Sequence, residues 1–341
     1  MRILITGTEG YIGSVMGPKI AELGHDVVGL DSGFYREGWL YNTKYSYLPP
    51  CVGKDIRHIT TDDLKGFEAV VHLAELSNDP LGQLHEAVTY QINHAGSVEL
   101  AKKCKAAGVS RFVYTSSCSV YGVGSDDFKS EESEPNPQTA YARCKVLVEQ
   151  DVSKLADDSF SPTFLRNATA FGLSPRMRFD IVLNNLAGLA WTTKEIRMIS
   201  DGSPWRPLVH VLDICDAVAC TLDAPRTVVH NEVINVGDSG QNYRVREIAQ
   251  IVSDAFPGCG LTMGSSNGDN RSYRVSFDKI KTLFPKFKCR RDATAGAHQF
   301  RELFERIQMP ADVFEFRAFT RLKQIEHLIN TGQVDQGLFW R

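Results

Sequence analysis

One tyrosine and one lysine of this chain are spaced so that they would lie side by side on a helix. They occur in the segment Tyr141-Ala142-Arg143-Cys144-Lys145, and residues four apart share one face of an α-helix. A free phenol has a pKa of about 10, which is too high for a base at neutral pH, but a neighbouring ammonium favours the phenolate. The pair therefore predicts a base for an alcohol. The spacing alone is a weak indicator, because a surface pair of this kind arises easily by chance.

Hydroxyl groups cluster shortly before that pair. The segment Thr115-Ser116-Ser117-Cys118-Ser119 ends the apolar run that begins at Arg111. In open α/β sheets, ligands bind at the carboxyl ends of the strands. These hydroxyls, the phenol and a bound cofactor ring can therefore converge at one place.

A glycine-rich turn near the N-terminus predicts a dinucleotide site. The segment Thr6-Gly7-Thr8-Glu9-Gly10-Tyr11-Ile12-Gly13 places three glycines between a predicted strand and a predicted helix. Glycine lets backbone N–H groups approach a pyrophosphate at the positive end of the helix. Asp31 closes the next strand, where a carboxylate accepts hydrogen bonds from the adenosine ribose and repels a 2′-phosphate, so NAD is preferred over NADP. Two alternatives stay open: the glycines could form only a tight turn, and Arg36 nearby leaves room for NADP.

The elements that must position these residues alternate between short apolar runs and amphipathic segments. This pattern predicts an α/β fold with a doubly wound parallel sheet of the Rossmann type. The predicted strands are 2–6, 25–30, 69–73, 111–115 and 163–166, with 209–211 and 233–236 as two late additions to the same sheet. The predicted helices are 13–23, 87–107 and 141–155.

The alternation fades after Leu173, which predicts a second, smaller α/β lobe for the substrate. We assign residues 1–170 and about 207–240 to the dinucleotide-binding domain. Residues of about 171–206 and 241–341 form the substrate lobe and a helical C-terminal tail. A short helix is expected at 246–255, whereas no motif explains the final Phe339-Trp340-Arg341.

Composition limits the classes of function. Hydrophobic residues make up 43% and charged residues 23% of the 341, as in an ordinary folded protein. The net charge of −3 gives no positive field for nucleic acid or an anionic membrane, and no run approaches the roughly 20 apolar residues of a membrane span.

Because Met1 leads into a strand-like run rather than a signal peptide, we expect a cytoplasmic protein. The eight cysteines lack metal-ligand spacing, so we expect reduced thiols and no metal site.

Together these motifs resemble the extended short-chain dehydrogenase/reductase family, in its nucleotide-sugar epimerase/dehydratase branch, over roughly residues 1–290. The matching features are the glycine triplet, Asp31, Asp55-Ile56, His72-Leu73-Ala74, Asn93, the two serines before Val120-Tyr121-Gly122, and the pair Tyr141 and Lys145.

The resemblance implies roles for named residues. Tyr141 would be the acid/base, Lys145 would hold the nicotinamide ribose, and Ser117 would bind the reacting oxygen. The NAD contacts that it implies are Gly7, Gly10, Tyr11, Ile12, Gly13, Asp31, Asp55, Ile56, Leu73, Ala74, Asn93, Ser116, Tyr141 and Lys145. The implied contacts to a nucleotide-diphosphate sugar are Ser117, Asn167, Asn185, Arg206 and Arg271, and guanidinium groups suit a bidentate grip on phosphate.

Departures from the family pattern bear on the reaction. Sugar 4,6-dehydratases carry an Asp-Glu pair where this chain has Cys118 and Ser119, and a serine hydroxyl cannot replace a carboxylate base at neutral pH. We therefore expect a redox-neutral, NAD-dependent nucleotide-sugar epimerase that acts through a transient keto sugar. The alternatives are a 4-keto-sugar reductase, an atypical dehydratase, or an NAD(H)-binding protein without turnover.

Three local departures qualify the predicted site. Glu75 stands where a small residue is commoner, and is either an additional acid/base or a solvent-facing or hydrogen-bonded loop carboxylate. Cys118 could donate a proton, although structural burial is favoured. Asn167 stands in Arg166-Asn167-Ala168-Thr169, where the family usually has Arg-Tyr-Phe-Asn, so the sugar pocket is expected to be altered. The resemblance also implies a homodimer that packs through the helices near 90–107 and 141–156.

Overall fold

Fourteen strands and thirteen α-helices alternate along the described chain, which comprises residues 1–45, 48–77, 79–265 and 271–341 of this computed structural model. The strands are β1 (Arg2–Thr6), β2 (Asp26–Asp31), β3 (Cys51–Gly53), β4 (Ala69–His72), β5 (Arg111–Ser117), β6 (Val123–Lys129), β7 (Ser161–Asn167), β8 (Thr169–Phe171), β9 (Glu195–Arg197), β10 (Trp205–His210), β11 (Glu232–Val236), β12 (Asn242–Arg244), β13 (Gly260–Thr262) and β14 (Ser272–Val275). The α-helices are α1 (Gly13–Glu22), α2 (Asp79–Leu84), α3 (Glu86–Thr89), α4 (Ser97–Ala106), α5 (Ala140–Ser153), α6 (Val182–Thr193), α7 (Val211–Asp223), α8 (Arg226–Val229), α9 (Val245–Ala255), α10 (Asp278–Leu283), α11 (Ala293–Ile307), α12 (Ala311–Glu315) and α13 (Arg321–Asn330).

A parallel sheet of seven strands forms the centre, in the order β11-β7-β5-β4-β1-β2-β3. The chain starts in the middle, winds to one edge through β2 and β3, and then returns to build the other side from β4 outward. The predicted doubly wound α/β fold is confirmed. The direction of winding reverses between β1 and β4, and such a switch point opens a crevice at the carboxyl ends of the strands.

Helices cover both faces of this sheet because its strands are apolar on both sides. Ile3 and Ile5 of β1 pack into the core on one face, and Leu4 packs into the core on the other. This alternation follows from the two-residue period of a strand. Helices α1 and α7 cover the first face, and α4 and α5 cover the second.

The expectation that 209–211 would join the main sheet is wrong. Residues 205–210 form β10, which pairs with β8 and β12 in a separate three-stranded sheet, and Val211 already begins α7. The edge of β7 where a further strand would pair is taken by β11, which contains the other predicted addition, 233–236. The smaller sheets β12-β10-β8, β13-β9 and β14-β6 and the mutually packed helices α6, α9 and α11 build the region beside the crevice.

The predicted helix 87–107 is helical throughout but irregular. A π-helical stretch, Tyr90–Gly96, separates α3 from α4. Asn93 lies in this stretch with its side chain fully buried. Hydrophobic periodicity indicates a helix here but does not distinguish a π turn from an α turn.

The C-terminal segment is helical up to Asn330 and then packs beside the loops that follow β2 and β3. Trp340 donates from Nε1 to the carbonyl of Ser32 at 2.7 Å and lies against Phe34. The Arg57 guanidinium stacks 3.6 Å from the ring centroid of Phe339 and donates to the carbonyls of residues 337 and 338. No helix among the described residues is long and apolar enough to cross a bilayer.

Candidate active site

A cavity of about 710 Å³ opens at the carboxyl ends of the central strands. Its wall includes residues that follow β1, β2, β4, β5 and β7, and it continues to β10 and β14 of the smaller region. This volume lies within the range for pockets that enclose small ligands. The cavity therefore extends from the switch point of the central sheet to the smaller sheets that contain β10 and β14.

The glycine-rich turn forms one wall of the cavity and allows close backbone approach. Gly7 has φ +77, and a Cβ placed on it would lie 2.9 Å from the backbone nitrogen of Ala74. Gly10 and Gly13 also line the cavity, next to Tyr11 and Ile12 at the start of α1. A side chain at Gly7 would thus push apart β1 and the loop after β4, where a pyrophosphate is expected.

Asp31 lies where β2 ends, with its carboxylate fixed by two backbone groups. Oδ2 accepts from the N–H of Glu9 at 2.9 Å and Oδ1 accepts from the N–H of Gly33 at 2.7 Å. Burial raises the pKa of this carboxyl, and the two backbone hydrogen bonds counteract that effect. Arg36, which had left room for NADP, turns back to the carbonyl of Gly33 and toward the ring of Trp340.

Residues Asp55 and Ile56 line the same end of the cavity. Both carboxylate oxygens of Asp55 accept from Arg57, at 2.7 Å to 3.1 Å. Since Arg57 also holds the C-terminal segment, the loop after β3 is braced from outside the cavity.

The predicted pair Tyr141 and Lys145 faces the other end of the cavity from the first turns of α5. Thr139 caps this helix by accepting from the N–H of Ala142 at 3.2 Å. Lys145 Nζ lies 5.4 Å from the centroid of the Tyr141 ring. Ser117, at the end of β5, lines the cavity with them. The structure thus brings together the phenol, the ammonium and the serine hydroxyl.

Some charges around Tyr141 raise the pKa of its phenol, and others lower it. Burial raises the pKa of its phenol, Lys145 and Arg178 lower it, and Glu75 and Asp79 raise it. The net effect is a raised pKa of Tyr141. A positively charged nicotinamide ring nearby would favour the phenolate.

Glu75 is enclosed beneath this pair. Its side chain is 2% exposed, and Oε2 lies 2.6 Å from Lys145 Nζ. Oε1 accepts from the hydroxyl of Tyr114 at 2.5 Å. Glu75 is thus a buried, hydrogen-bonded carboxylate rather than a solvent-facing one, and it lines the cavity.

Three predicted site residues lie outside the cavity wall. Cys118 is buried with its thiol directed to the carbonyl of Arg166, so the thiol does not reach the cavity. Burial raises its pKa well above the usual range. Asn93 instead holds the backbone N–H and carbonyl of Leu76, at 2.8 Å and 3.0 Å. Asn185 donates to the carbonyl of Phe179. The two asparagines are tied to backbone groups because each lies on a helix face that packs against a loop.

The remaining substrate candidates line the cavity: Asn167, Arg206 and Arg271. The amide nitrogen of Asn167 donates to the carbonyl of Ser116 at 3.4 Å, while its Oδ1 is buried without a hydrogen-bond partner. Arg271 forms an ion pair with Asp79, and Arg206 donates to the backbone carbonyl of Arg271. Arg206 and Arg271 are therefore neighbours in the cavity wall, on the side of the smaller sheets.

Sequence reasoning missed several cavity residues. Arg178 pairs with Asp180 at 2.8 Å and donates to the Ser77 hydroxyl at 3.1 Å. Arg321 stacks 3.9 Å from the centroid of the Tyr35 ring, and burial together with Arg178 lowers its pKa to about 10. The position of Arg178 soon after β8 was an available signal, whereas nothing in the sequence around Arg321 indicates that α13 reaches the cavity.

No group of three or more histidine, cysteine, aspartate or glutamate side chains is placed to hold a metal ion within the part of the chain that the structure describes. The eight cysteines are free thiols.

The chain is similar in sequence to a known protein family. The family model of the NAD dependent epimerase/dehydratase family matches residues 3–237. The UDP-glucose 4-epimerase of Yersinia pestis is 29% identical over 293 residues, which cover 76% of this chain and 83% of that protein.

Two solved structures share the fold. MoeE5 in complex with UDP-glucuronic acid and NAD has a TM-score of 0.78 at 24% identity, over 90% of this chain and 100% of that chain. TunA, an NAD dependent NDP-hexosamine 5,6-dehydratase, has a TM-score of 0.79 at 22% identity, over 91% of this chain and 99% of that chain. Since the family model spans most of the chain and contains the glycine turn and the Tyr141 and Lys145 pair, this protein belongs to the NAD dependent epimerase/dehydratase family.

Proposed function

We propose that the protein is an NAD-dependent nucleotide-sugar epimerase that inverts a hydroxyl-bearing carbon through a transient keto sugar. The observation that carries this proposal is the Tyr141 phenol beside Lys145, in one cavity with Ser117 and the glycine turn. Relatives that are named UDP-glucose 4-epimerase support the same assignment.

The cavity fits a dinucleotide. The space beside Gly7 and Gly10 suits a pyrophosphate, and the Asp31 oxygens retain lone pairs for ribose hydroxyls. Lys145 would hold the nicotinamide ribose. Bound NAD supplies the hydride acceptor for the sugar carbon and later the hydride donor.

The side chains account for the proton transfers. Tyr141 takes the proton from the sugar hydroxyl as its carbon is oxidised, and returns it when the carbonyl is reduced. Ser117 orients that oxygen toward the phenol. Arg206 and Arg271 would hold the diphosphate, so that the keto sugar can turn and present its opposite face while the nucleotide stays bound.

Water elimination in the usual manner is disfavoured by the groups after β5. Cys118 is buried away from the cavity, and Ser119 is the residue that lines it. Neither position supplies a carboxylate to remove a carbon-bound proton. Glu75, a carboxylate that does line the cavity, is engaged by Lys145 and Tyr114.

The test is to incubate the purified protein with UDP-, GDP- and TDP-sugars without added cofactor. Sugar identity and the absorbance of reduced nicotinamide are followed together. Product without net redox change supports the epimerase. Strict dependence on added NAD(P)H would identify a keto-sugar reductase instead, and binding of NAD without turnover of any sugar would identify a binding protein.

We propose further that the protein is a cytoplasmic homodimer, packed through the helical faces near 90–107 and 141–156. The support is the family resemblance, together with the adjacent placement of α4 and α5 on one face of the sheet. Sedimentation at micromolar concentration tests the dimer. A monomer under those conditions would contradict it.

A further inference from the structure

A buried carboxylate lies behind the reaction centre, and the proposed mechanism does not use it. Glu75 reaches from the loop after β4 into the space between β5 and α5. It contacts Lys145 Nζ at 2.6 Å and the Tyr114 hydroxyl at 2.5 Å. Lys145 also donates to the carbonyl of Thr115 at 2.5 Å, so the ammonium is held from two sides.

This ion pair changes the electrostatic effect of Lys145 on the phenol of Tyr141. The ammonium favours the phenolate through its positive charge. A carboxylate on the same nitrogen offsets much of that charge, because both groups are buried and share one low-dielectric environment. We propose that Glu75 is a positioning residue that holds Lys145 in place and sets the pH at which Tyr141 becomes a base.

The other charged groups near Tyr141 have partners of their own. Asp79 accepts from Thr139 and pairs with Arg271. Arg178 pairs with Asp180.

Glu75 differs from these groups because it acts through the lysine beside the phenol. The phenol of Tyr114 also faces Tyr141, but it donates to Glu75, and burial together with that carboxylate raises its pKa well above the usual range. Neutralising Glu75 should therefore change the pKa of the Tyr141 phenol more directly than neutralising the other groups would.

The direction of the effect follows from the signs of the charges. Replacing Glu75 by glutamine keeps the size and an oxygen that accepts from Tyr114, but removes the negative charge. Lys145 then acts on Tyr141 without compensation, so the phenolate forms at lower pH. A charge of this kind shifts a neighbouring titration by about one to two pH units.

The test uses the NAD-bound enzyme without sugar. The phenolate absorbance difference between each protein and its Tyr141→Phe counterpart is titrated against pH, in the wild-type and in the Glu75→Gln background. We expect the midpoint assigned to Tyr141 to fall by about one unit in Glu75→Gln. Glu131→Gln, which neutralises a carboxyl outside the cavity wall that accepts from the Asn235 N–H, is the control and should leave the midpoint unchanged.

An unchanged or raised midpoint in Glu75→Gln overturns the proposal. Glu75→Ala is the second variant, should the glutamine protein not fold, and its midpoint should move in the same direction. Circular dichroism melting establishes that each variant is folded before it is titrated.

The kinetic consequence rests on the proposed function. With UDP-glucose and UDP-galactose, the acid limb of kcat/KM should move to lower pH in Glu75→Gln. The plateau value should fall as well, because Lys145 is held less firmly. A purely structural role would lower the plateau without moving the limb, and would count against the proposal. If no sugar turns over but the titration shifts, the proposed function fails and the role of Glu75 stands.

Discussion

The hydroxyl of Thr6, at the end of β1, lies 2.7 Å from Nδ1 of His72, at the end of β4. The same oxygen accepts from the N–H groups of Leu73 and Ala74, each at 3.2 Å, so its own hydrogen points to the ring. On the other side of the ring, Nε2 lies 2.8 Å from the Ser97 hydroxyl. This arrangement fits a neutral imidazole, and it ties the start of the loop after β4 to the end of β1.

A first prediction concerns stability below neutral pH. Burial, together with the charge of Lys145, lowers the pKa of His72 to about 3, whereas the unfolded chain takes up that proton near pH 6.5. The contribution of the neutral ring is therefore present above pH 6.5 and is lost as the pH falls toward 3. We expect the free energy of unfolding to decrease by about 0.7 kcal/mol per pH unit near pH 6.5, and by about 1.4 kcal/mol per unit below about pH 5.5, from this residue.

Urea unfolding at several pH values between about 6.5 and 5 measures that slope. The variant His72→Gln should flatten it. The control His298→Gln changes an exposed histidine and should leave it as in the wild type. An identical slope in the wild type and His72→Gln would contradict the assignment.

A second prediction concerns the acid/base. Tyr141→Phe removes the proton-transfer group and leaves the rest of the ring, so NAD should still bind. Turnover of a nucleotide sugar should fall by about 10³-fold or more. Near-normal turnover would exclude Tyr141 from the reaction, and loss of NAD would show that the phenol serves the cofactor instead.

A third prediction concerns the choice between NAD and NADP. Asp31→Asn removes the charge that repels a 2′-phosphate, although the amide oxygen can still accept one backbone N–H. We expect the affinity for NAD to fall by about 10-fold and that for NADP to rise relative to it. Calorimetric titration of both cofactors gives the ratio. An unchanged ratio would mean that the carboxylate serves only the turn at Gly33.

A fourth prediction concerns the C-terminal segment that contains Trp340, which packs near Asp31, at the end of the cavity where the adenosine of NAD is expected. Trp340→Ala removes a hydrogen bond to Ser32 and ring contacts with Phe34 and Arg36. We expect the free energy of unfolding to fall by about 1–2 kcal/mol and the NAD affinity to fall severalfold. Leu23→Ala, which changes another exposed apolar side chain, is the matched control. If both variants bind NAD as the wild type does, the segment does not support the cofactor site.

The central sheet could be predicted from sequence because local patterns encode it. Strand β1 was predicted with its observed bounds, and α1 and α5 lie within about two residues of prediction. An apolar run that ends in glycine indicates a strand and a turn from neighbouring residues alone. The placement of 209–211 is not encoded in this way, because it depends on which distant strand pairs with the edge of β7, and that strand is β11.

The cavity was predictable where a motif surrounds each residue, and less so elsewhere. The glycine turn, Asp31, Ser117 and the Tyr141 and Lys145 pair all line one cavity. Arg321 was missed because its role depends on a helix far along the chain folding back against Tyr35. Burial of Cys118 and the tethering of Asn93 are properties of packing, which one sequence does not state.

The π-helical stretch has a consequence for how this protein tolerates insertions and deletions. Losing one residue from 90–96 would convert the wide turn into an ordinary one and give the helix better internal bonding. The same change would rotate the preceding residues by about 100° relative to those that follow. Asn93 would then swing away from Leu76, and the segment carrying Glu75 would lose its support. The helix would become more regular, but the active site would lose the support of the segment that carries Glu75. Alignments of active relatives should therefore show no gaps at this turn.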